Sequence, residues 1–161
     1  MVILLMGVAG SGKTTVGLLL ARELNWAFND ADDVHPPANI AKMAAGQPLN
    51  DADRAPWLAA LRARIDEQLA RGMNAVVTCS ALKQRYRDVI VGDPQQVKTV
   101  YLRGSHEMLL ARIRGRVGHF MSPAMLDSQL AALEPPRDAL DLDIAHSPPE
   151  LVSRIRQALS V

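Results

Sequence analysis

Short, dense apolar runs alternate along this chain with longer stretches in which apolar residues return every three or four positions. Val2 to Met6 is wholly apolar and of strand length, and after it Val16, Leu19, Leu20 and Leu24 fall at helical spacing. Trp26 to Asn29 reads as a second strand that ends in the acidic group Asp30-Ala31-Asp32-Asp33. Pro36-Pro37 then opens a helix through Lys42 and Met43 that Gly46 stops, since proline suits a first turn and glycine a C-terminus. After the turn Gln47 to Asn50, either Asn50 or Asp51 can cap a longer helix with Leu58, Leu61, Ile65 and Leu69 on one face, ending near Gly72. Met43 and Trp57 read as packing residues.

Asn74 to Cys79 is a third, buried strand, and Leu82 to about Val91 a helix broken by Gly92-Asp93-Pro94. Val97 to Leu102 makes a fourth strand, and Ser105 can cap a helix holding Met108, Leu109 and Ile113. From Arg112 to His119 the apolar period falters among arginines and glycines. A helical pattern resumes from Pro123 through Leu126 and Leu130 to Leu133 and ends at Glu134-Pro135-Pro136. Leu140 to Ile144 alternates as a fifth strand, and Pro148 opens a last helix with Leu151, Ile155 and Leu159 on its face. Strands alternating with helices predict right-handed crossovers, hence a three-layer α/β/α fold around a five-stranded parallel sheet. With 161 residues and no linker or repeat, the chain reads as a single domain over 1–161, with about 112–134 as a helical lid.

Charge and composition narrow the partners. Eighteen Lys and Arg against 17 Asp and Glu leave a net charge of +1, so no overall basic field exists for nucleic acid, and an anion must be met locally. Cys79 is the single cysteine, which excludes an internal disulfide and a cysteine zinc cluster; its place in an apolar run predicts a buried, inert thiol. No apolar stretch approaches the roughly 18 residues of a membrane span, and no basic region precedes the first run. The expectation is a cytoplasmic protein without a membrane partner.

Gly7-Val8-Ala9-Gly10-Ser11-Gly12-Lys13-Thr14, followed by Thr15, joins the first strand to the first helix and fits G-x-x-x-x-G-K-[ST] at every fixed position. Strand, loop and helix are the context this P-loop motif needs. Its backbone N–H groups and the helix N-terminus cradle a polyphosphate, Lys13 reaches the β- and γ-phosphates, and Thr14 offers its hydroxyl to Mg²⁺. A glycine-rich turn that merely caps a helix would leave Lys13 and Thr14 without a purpose. ATP and Mg²⁺ are therefore the expected cofactors. The third strand ends in Thr78-Cys79-Ser80 where many P-loop proteins place an acidic magnesium partner, so Asp30 or Asp32 is expected to join Thr14 at the metal. No guanine-reading N-K-x-D segment occurs, which weakens a GTPase reading.

Five motifs in order carry a resemblance. They are Asp30-Ala31-Asp32-Asp33-Val34-His35-Pro36 with Asn39 to Met43; Pro48-Leu49-Asn50-Asp51-Ala52-Asp53-Arg54 with Pro56-Trp57-Leu58; Cys79-Ser80-Ala81-Leu82-Lys83 with Tyr86-Arg87-Asp88; Gly118-His119-Phe120-Met121; and Ser128-Gln129 with Leu133-Glu134-Pro135. Over about Leu5 to Val152 the chain resembles the gluconate kinase family. The resemblance implies ATP-dependent phosphorylation of D-gluconate on its terminal hydroxyl, on a nucleoside-monophosphate-kinase-like fold that is commonly a homodimer.

The residues suit that chemistry. Phosphoryl transfer chiefly asks for in-line positioning and charge neutralisation, which Lys13, Mg²⁺ and the lid arginines Arg112 and Arg116 would supply. Those arginines lie four apart, on one face of a helix if the helix continues. Asp32, at a strand end beside the loop, is expected to orient the acceptor hydroxyl and take its proton late. His35, Arg54, Lys83 and Arg87 are the candidates for a sugar acid's carboxylate and hydroxyls, Arg54 foremost, and His119 closes the lid or meets substrate.

Two positions depart from the family pattern. The family's acidic group usually reads Asp-Gly-Asp, and Ala31 here would strain the loop if that position has positive φ. The connection Arg137-Asp138-Ala139 is also short, which bears on the adenine-side loop from Ala145 to Pro148. A shikimate-type kinase is the nearest rival, although it would be expected to show Gly-Gly after the third strand where Cys79-Ser80-Ala81-Leu82 stands. Nucleotide-monophosphate kinases are a weaker rival, and a nonenzymatic nucleotide-dependent switch would bind ATP without an acceptor.

Overall fold

A computed structural model describes residues 1–115 and 123–161. Five strands, β1 (Val2–Met6), β2 (Ala27–Asp30), β3 (Ala75–Cys79), β4 (Val97–Arg103) and β5 (Leu140–Asp143), form one sheet in the order β2-β3-β1-β4-β5. Every neighbouring pair is parallel. Between them run α1 (Lys13–Leu24), α2 (Pro37–Ala44), α3 (Asp51–Ala70), α4 (Gln84–Val91), α5 (His106–Arg114) and α6 (Pro123–Ala132), and α7 (Pro148–Leu159) follows β5.

The central strand explains the layering. All of β1 is buried, and its alternating side chains feed two cores. Ile3 and Leu5 join Val16 and Leu20 of α1 and Leu151 and Ile155 of α7 on one face. Val2, Leu4 and Met6 join Leu58, Leu61 and Ile65 of α3 and Ile90 of α4 on the other. The crossovers leave β1 toward the β2 edge and then return past it to β4, so the strand order reverses beside β1. Its carboxyl end is therefore the crevice where open α/β sheets bind ligands. Gly17 lets α1 lie close to the sheet there, since a Cβ at that position would stand 2.9 Å from both Phe28 and Thr78.

The helix ends follow local chemistry. Asn50 and Asp53 form a reciprocal capping box at the start of α3, and the Ser105 hydroxyl accepts the Met108 N–H at the start of α5. Three features differ from the sequence expectation. The acidic group leaves β2 as a short 3₁₀ turn, Ala31–Val34, because Asp30 caps it by accepting the Asp32 N–H. Met43 is 44% exposed rather than packed, since α2 buries its polar Asn39 instead. Helix α5 closes at Arg114 with Gly115 as its C-cap, before the second of the two lid arginines.

Ala31 is fully buried and is absent from the positive-φ residues, so the strain expected of alanine there does not arise. Cys79 is buried, and desolvation pushes its thiol up to about 12, which fits an inert side chain. Among the described residues no helix is long and apolar enough to cross a membrane.

Candidate active site

The loop after β1 has the shape its sequence foretold. Gly10 adopts φ 80°, and a Cβ there would meet Ile113 Cγ1 at 3.0 Å and the Leu109 carbonyl oxygen at 3.1 Å, so only glycine fits between the loop and α5. The Ser11 N–H donates to the Val8 carbonyl at 3.2 Å, and Lys13 Nζ donates to the same oxygen at 3.1 Å. Lysine thus closes the loop Gly7 to Gly12 over the N-terminus of α1, where Thr14 and Thr15 are exposed. Ser11 is fully buried and its Oγ has no hydrogen-bond partner among the described residues. A buried polar atom left unmet inside a glycine cradle at a helix N-terminus fits an oxyanion ligand.

The acidic group divides its duties. Asp30 Oδ2 lies 3.5 Å from the Thr14 hydroxyl, and Asp30 Oδ1 accepts the Asp32 N–H at 3.1 Å. A hydroxyl and one carboxylate beside a phosphate cradle fit Mg²⁺, which is usually held by one or two carboxylates together with substrate phosphates. No cluster of three or more His, Cys, Asp or Glu suited to a metal occurs among the described residues. Asp32 instead turns to His35, whose Nε2 is 3.9 Å from Asp32 Oδ1.

Desolvation by the cleft walls, then repulsion from Asp30, raises the Asp32 carboxyl above its ordinary value, against the pull of His35 and Lys13. The side chain is nonetheless 87% accessible, so water in the open cleft screens much of that shift. His35 is held below its ordinary value, first by burial, with Arg54 adding to burial and Asp32 opposing it. Its ring stacks on Trp57 with centroids 4.3 Å apart and planes 9° from parallel. Trp57 is fixed in turn by an Nε1–H bond of 2.7 Å to the Ala31 carbonyl.

Beyond this pair lies a cationic patch. Arg54, Lys83 and Arg85 stand over the ring of Tyr86 at 5.7, 5.9 and 5.4 Å from its centroid. The Tyr86 hydroxyl donates to Asp51 at 2.5 Å, and Arg85 pairs with the other oxygen of Asp51 at 2.6 Å. No carboxylate pairs with Arg54 or Lys83 among the described residues, and an organic acid is a partner of the right charge for both. Sequence reasoning missed Tyr86 and Arg85 as site residues; the available signal was the place of Tyr86 in the third motif, one helical turn from Lys83.

Arg87 does not belong to the patch. Expected to contact a sugar acid, it is 3% exposed, and its Nη1 donates to the carbonyls of Ala81 and Leu82 at 2.9 and 3.1 Å while Nη2 donates to Gln84. Those bonds hold a loop in which Ala81 takes φ 44°, a left-handed turn unusual for alanine. Arg87 thus braces the loop between β3 and α4.

On the nucleotide side, Arg112 of α5 donates to the Ile144 carbonyl at 2.6 Å, and its Nη1 lies 3.5 Å from where a Cβ on Gly12 would stand. It therefore bridges the phosphate loop and the loop after β5. Arg116 and His119 lie outside the described residues. Helix α6 is docked: Leu126 is fully buried in the core, and His106 of α5 meets Asp127 of α6 at 2.7 Å. Gln129, which belongs to the fifth motif, acquires a role here, because its Oε1 accepts the Ala9 N–H of the phosphate loop at 2.7 Å.

A phosphate cradle at the crevice of a 2-3-1-4-5 parallel sheet, with a carboxylate at the next strand end, defines a P-loop small-molecule kinase. A family model described as Shikimate kinase matches residues 9–134. The gluconokinase of Gluconobacter oxydans is 50% identical over 136 residues, 84% of this chain and 76% of its own length. The thermosensitive gluconokinase of Escherichia coli K12 is 41% identical over 97% of this chain and 86% of its own. Among solved structures, a gluconokinase from Sinorhizobium meliloti 1021 is 40% identical with a TM-score of 0.82, covering 98% of this chain and 94% of that one. The shikimate kinase of Aquifex aeolicus, 19% identical with a TM-score of 0.63 and covering 99% and 96% of the two chains, shares the fold. The chain belongs to the gluconokinase family.

Proposed function

We infer that this protein transfers the γ-phosphoryl group of ATP to the terminal hydroxyl of D-gluconate, giving ADP and 6-phosphogluconate. The observation that carries the reading is a pair of cations, Arg54 and Lys83, that stand together over the Tyr86 ring and form no salt bridge with a carboxylate among the described residues. A shikimate or sugar-acid carboxylate would suit such a patch, and the gluconokinase relatives favour the open-chain acid.

The chain's own residues divide the work. The loop from Gly7 to Gly12 and the start of α1 hold the phosphates, with Lys13 able to leave the Val8 carbonyl for them. Thr14 and Asp30 would hold Mg²⁺, which supplies charge neutralisation between the phosphates. Arg112 is placed to neutralise charge beside Gly12, and Arg116 and His119 are proposed to complete the site from a lid over about 112–134. Asp32 orients the acceptor hydroxyl and takes its proton as the new O–P bond forms. Arg54 and Lys83 hold the carboxylate, with Arg85 and Tyr86 as their frame. A homodimer in the cytoplasm is proposed on the family resemblance.

The test is product identity. Incubation with Mg-ATP and gluconate should yield 6-phosphogluconate, identified by the phosphorus resonance of a primary phosphate ester. Phosphate on another oxygen, or no phosphorylated acid at all, would overturn the reading.

A further inference from the structure

Asn39 of α2 carries no charge, yet it is 3% exposed and its amide is committed at two points. Nδ2 is 2.9 Å from the Asp53 carbonyl oxygen and 3.3 Å from His35 Nδ1. A carbonyl oxygen can only accept, so the amide group facing Asp53 must be the NH₂, and its second hydrogen is the one directed at His35. Nδ1 of His35 must then be the bare nitrogen, which leaves the ring's proton on Nε2. That N–H faces Asp32 Oδ1 across 3.9 Å.

Burial and packing support this state of the ring. The His35 side chain is 6% accessible, and the stacked Trp57 covers one of its faces. Arg54 disfavours an imidazolium and Asp32 favours one, and burial outweighs both. Around Asp32 itself stand Asp30, Asp33, Lys13 and His35. Asp53, whose carbonyl sets the Asn39 amide, is anchored by the Asn50 capping box and by Lys42 at 2.6 Å.

We propose that Asn39 is a positioning residue for phosphoryl transfer: it selects the Nε2–H tautomer of a neutral His35, and that N–H steadies Asp32 Oδ1 so that Oδ2 is left for the acceptor hydroxyl. The proposal rests on the assignment of Asp32 as the group that takes the acceptor's proton. The proton passes from the acceptor oxygen to Asp32 as the oxygen bonds to phosphorus and ADP leaves with the electrons of the broken P–O bond; His35 keeps its own proton throughout. The 3.9 Å separation exceeds a hydrogen bond, so the proposal requires this contact to shorten on acceptor binding, as catalytic contacts commonly do.

The experiment reads the tautomer directly. Long-range ¹⁵N–¹H correlation spectra of the full chain, with ring-labelled histidine and near neutral pH, should show His35 with bare Nδ1 and protonated Nε2. An Nδ1–H ring or an imidazolium overturns the proposal, and this outcome is read without any acceptor. Gluconate failing in the product assay would instead overturn the function reading, so the two failures are distinguishable. In kinetics, Asn39→Ala should lower kcat about tenfold with little change in KM for ATP, the size of one lost neutral hydrogen bond. His35→Gln keeps a neutral N–H donor and should retain more activity than His35→Ala. In the His35→Gln background, Asn39→Ala should have little further effect on kcat. Equal losses in both backgrounds, accompanied by a lower Tm alone, would mark Asn39 as merely structural and overturn the proposal.

Discussion

Gln129 Oε1 accepts the backbone N–H of Ala9 at 2.7 Å, tying α6 to the phosphate loop across 120 positions of chain. The bond links the helix after the arginine segment directly to the phosphate loop. Gln129→Ala removes one neutral hydrogen bond, so kcat/KM for ATP should fall by about tenfold. Gln129→Glu can still accept from Ala9 but sets a negative charge beside the phosphates, and it should be more harmful than alanine. Steady-state kinetics at fixed saturating acceptor, with circular dichroism to confirm folding, checks the order.

Lys13→Ala should lower kcat by at least about a hundredfold, the usual effect of deleting a group that meets developing charge. Asp32→Asn should also abolish most turnover yet leave ATP affinity near that of the parent, because Asp32 faces His35 rather than the Thr14–Asp30 pair. Equilibrium binding of ATP beside turnover measurements separates the two effects.

The Asp32 carboxyl also fixes a pH dependence. Its folded-state value is raised above 3.8, so kcat should rise with pH through that folded value and then level off. The sign for stability is opposite. A raised carboxyl binds its proton more tightly when folded, so its contribution to stability declines as pH climbs from 3.8 through the folded value. Asp32→Asn removes that burden, and at neutral pH the variant should melt no lower than the parent. A clear drop in Tm would show that the carboxylate stabilises the fold.

Arg54→Ala and Lys83→Ala should each raise KM for the acid acceptor by roughly tenfold or more, as charge-assisted hydrogen bonds would, with smaller changes in KM for ATP. Arg87→Ala should behave differently, lowering Tm and impairing both substrates, because its guanidinium holds Ala81 and Leu82 in place.

Restoring the family's usual glycine at Ala31 should not help. Ala31 has no positive φ to relieve, and its methyl is fully buried. Losing the methyl costs about 0.8 kcal/mol. The extra freedom of an unfolded glycine costs about 0.4–1 kcal/mol more. Ala31→Gly should thus destabilise by about 1–2 kcal/mol, measured by denaturant unfolding.

The sheet and its helices were legible because β1 is wholly apolar and the helical stripes from Leu58 to Leu69 and from Leu151 to Leu159 are regular. The phosphate loop was legible because glycine, lysine and threonine at fixed offsets have a mechanism. What pattern could not give was the fate of polar side chains. Asn39 rather than Met43 is buried because His35 and the Asp53 carbonyl need a donor, and nothing local to α2 announces that. Arg87 looks like its basic neighbours in sequence, but the carbonyls it serves belong to Ala81, which takes a left-handed turn, and to Leu82 beside it. The short turn at Ala31–Val34 was hidden for a similar reason, since its cap is made by Asp30, a residue that also suits metal chemistry.

The most direct test is ADP release from Mg-ATP with gluconate, shikimate, nucleoside monophosphates and neutral sugars offered separately, using Lys13→Ala as the blank. The account predicts release with gluconate well above every other acceptor, lost in Lys13→Ala and weakened through KM in Arg54→Ala. Release that is independent of gluconate, or stronger with shikimate or a nucleoside monophosphate, would contradict it.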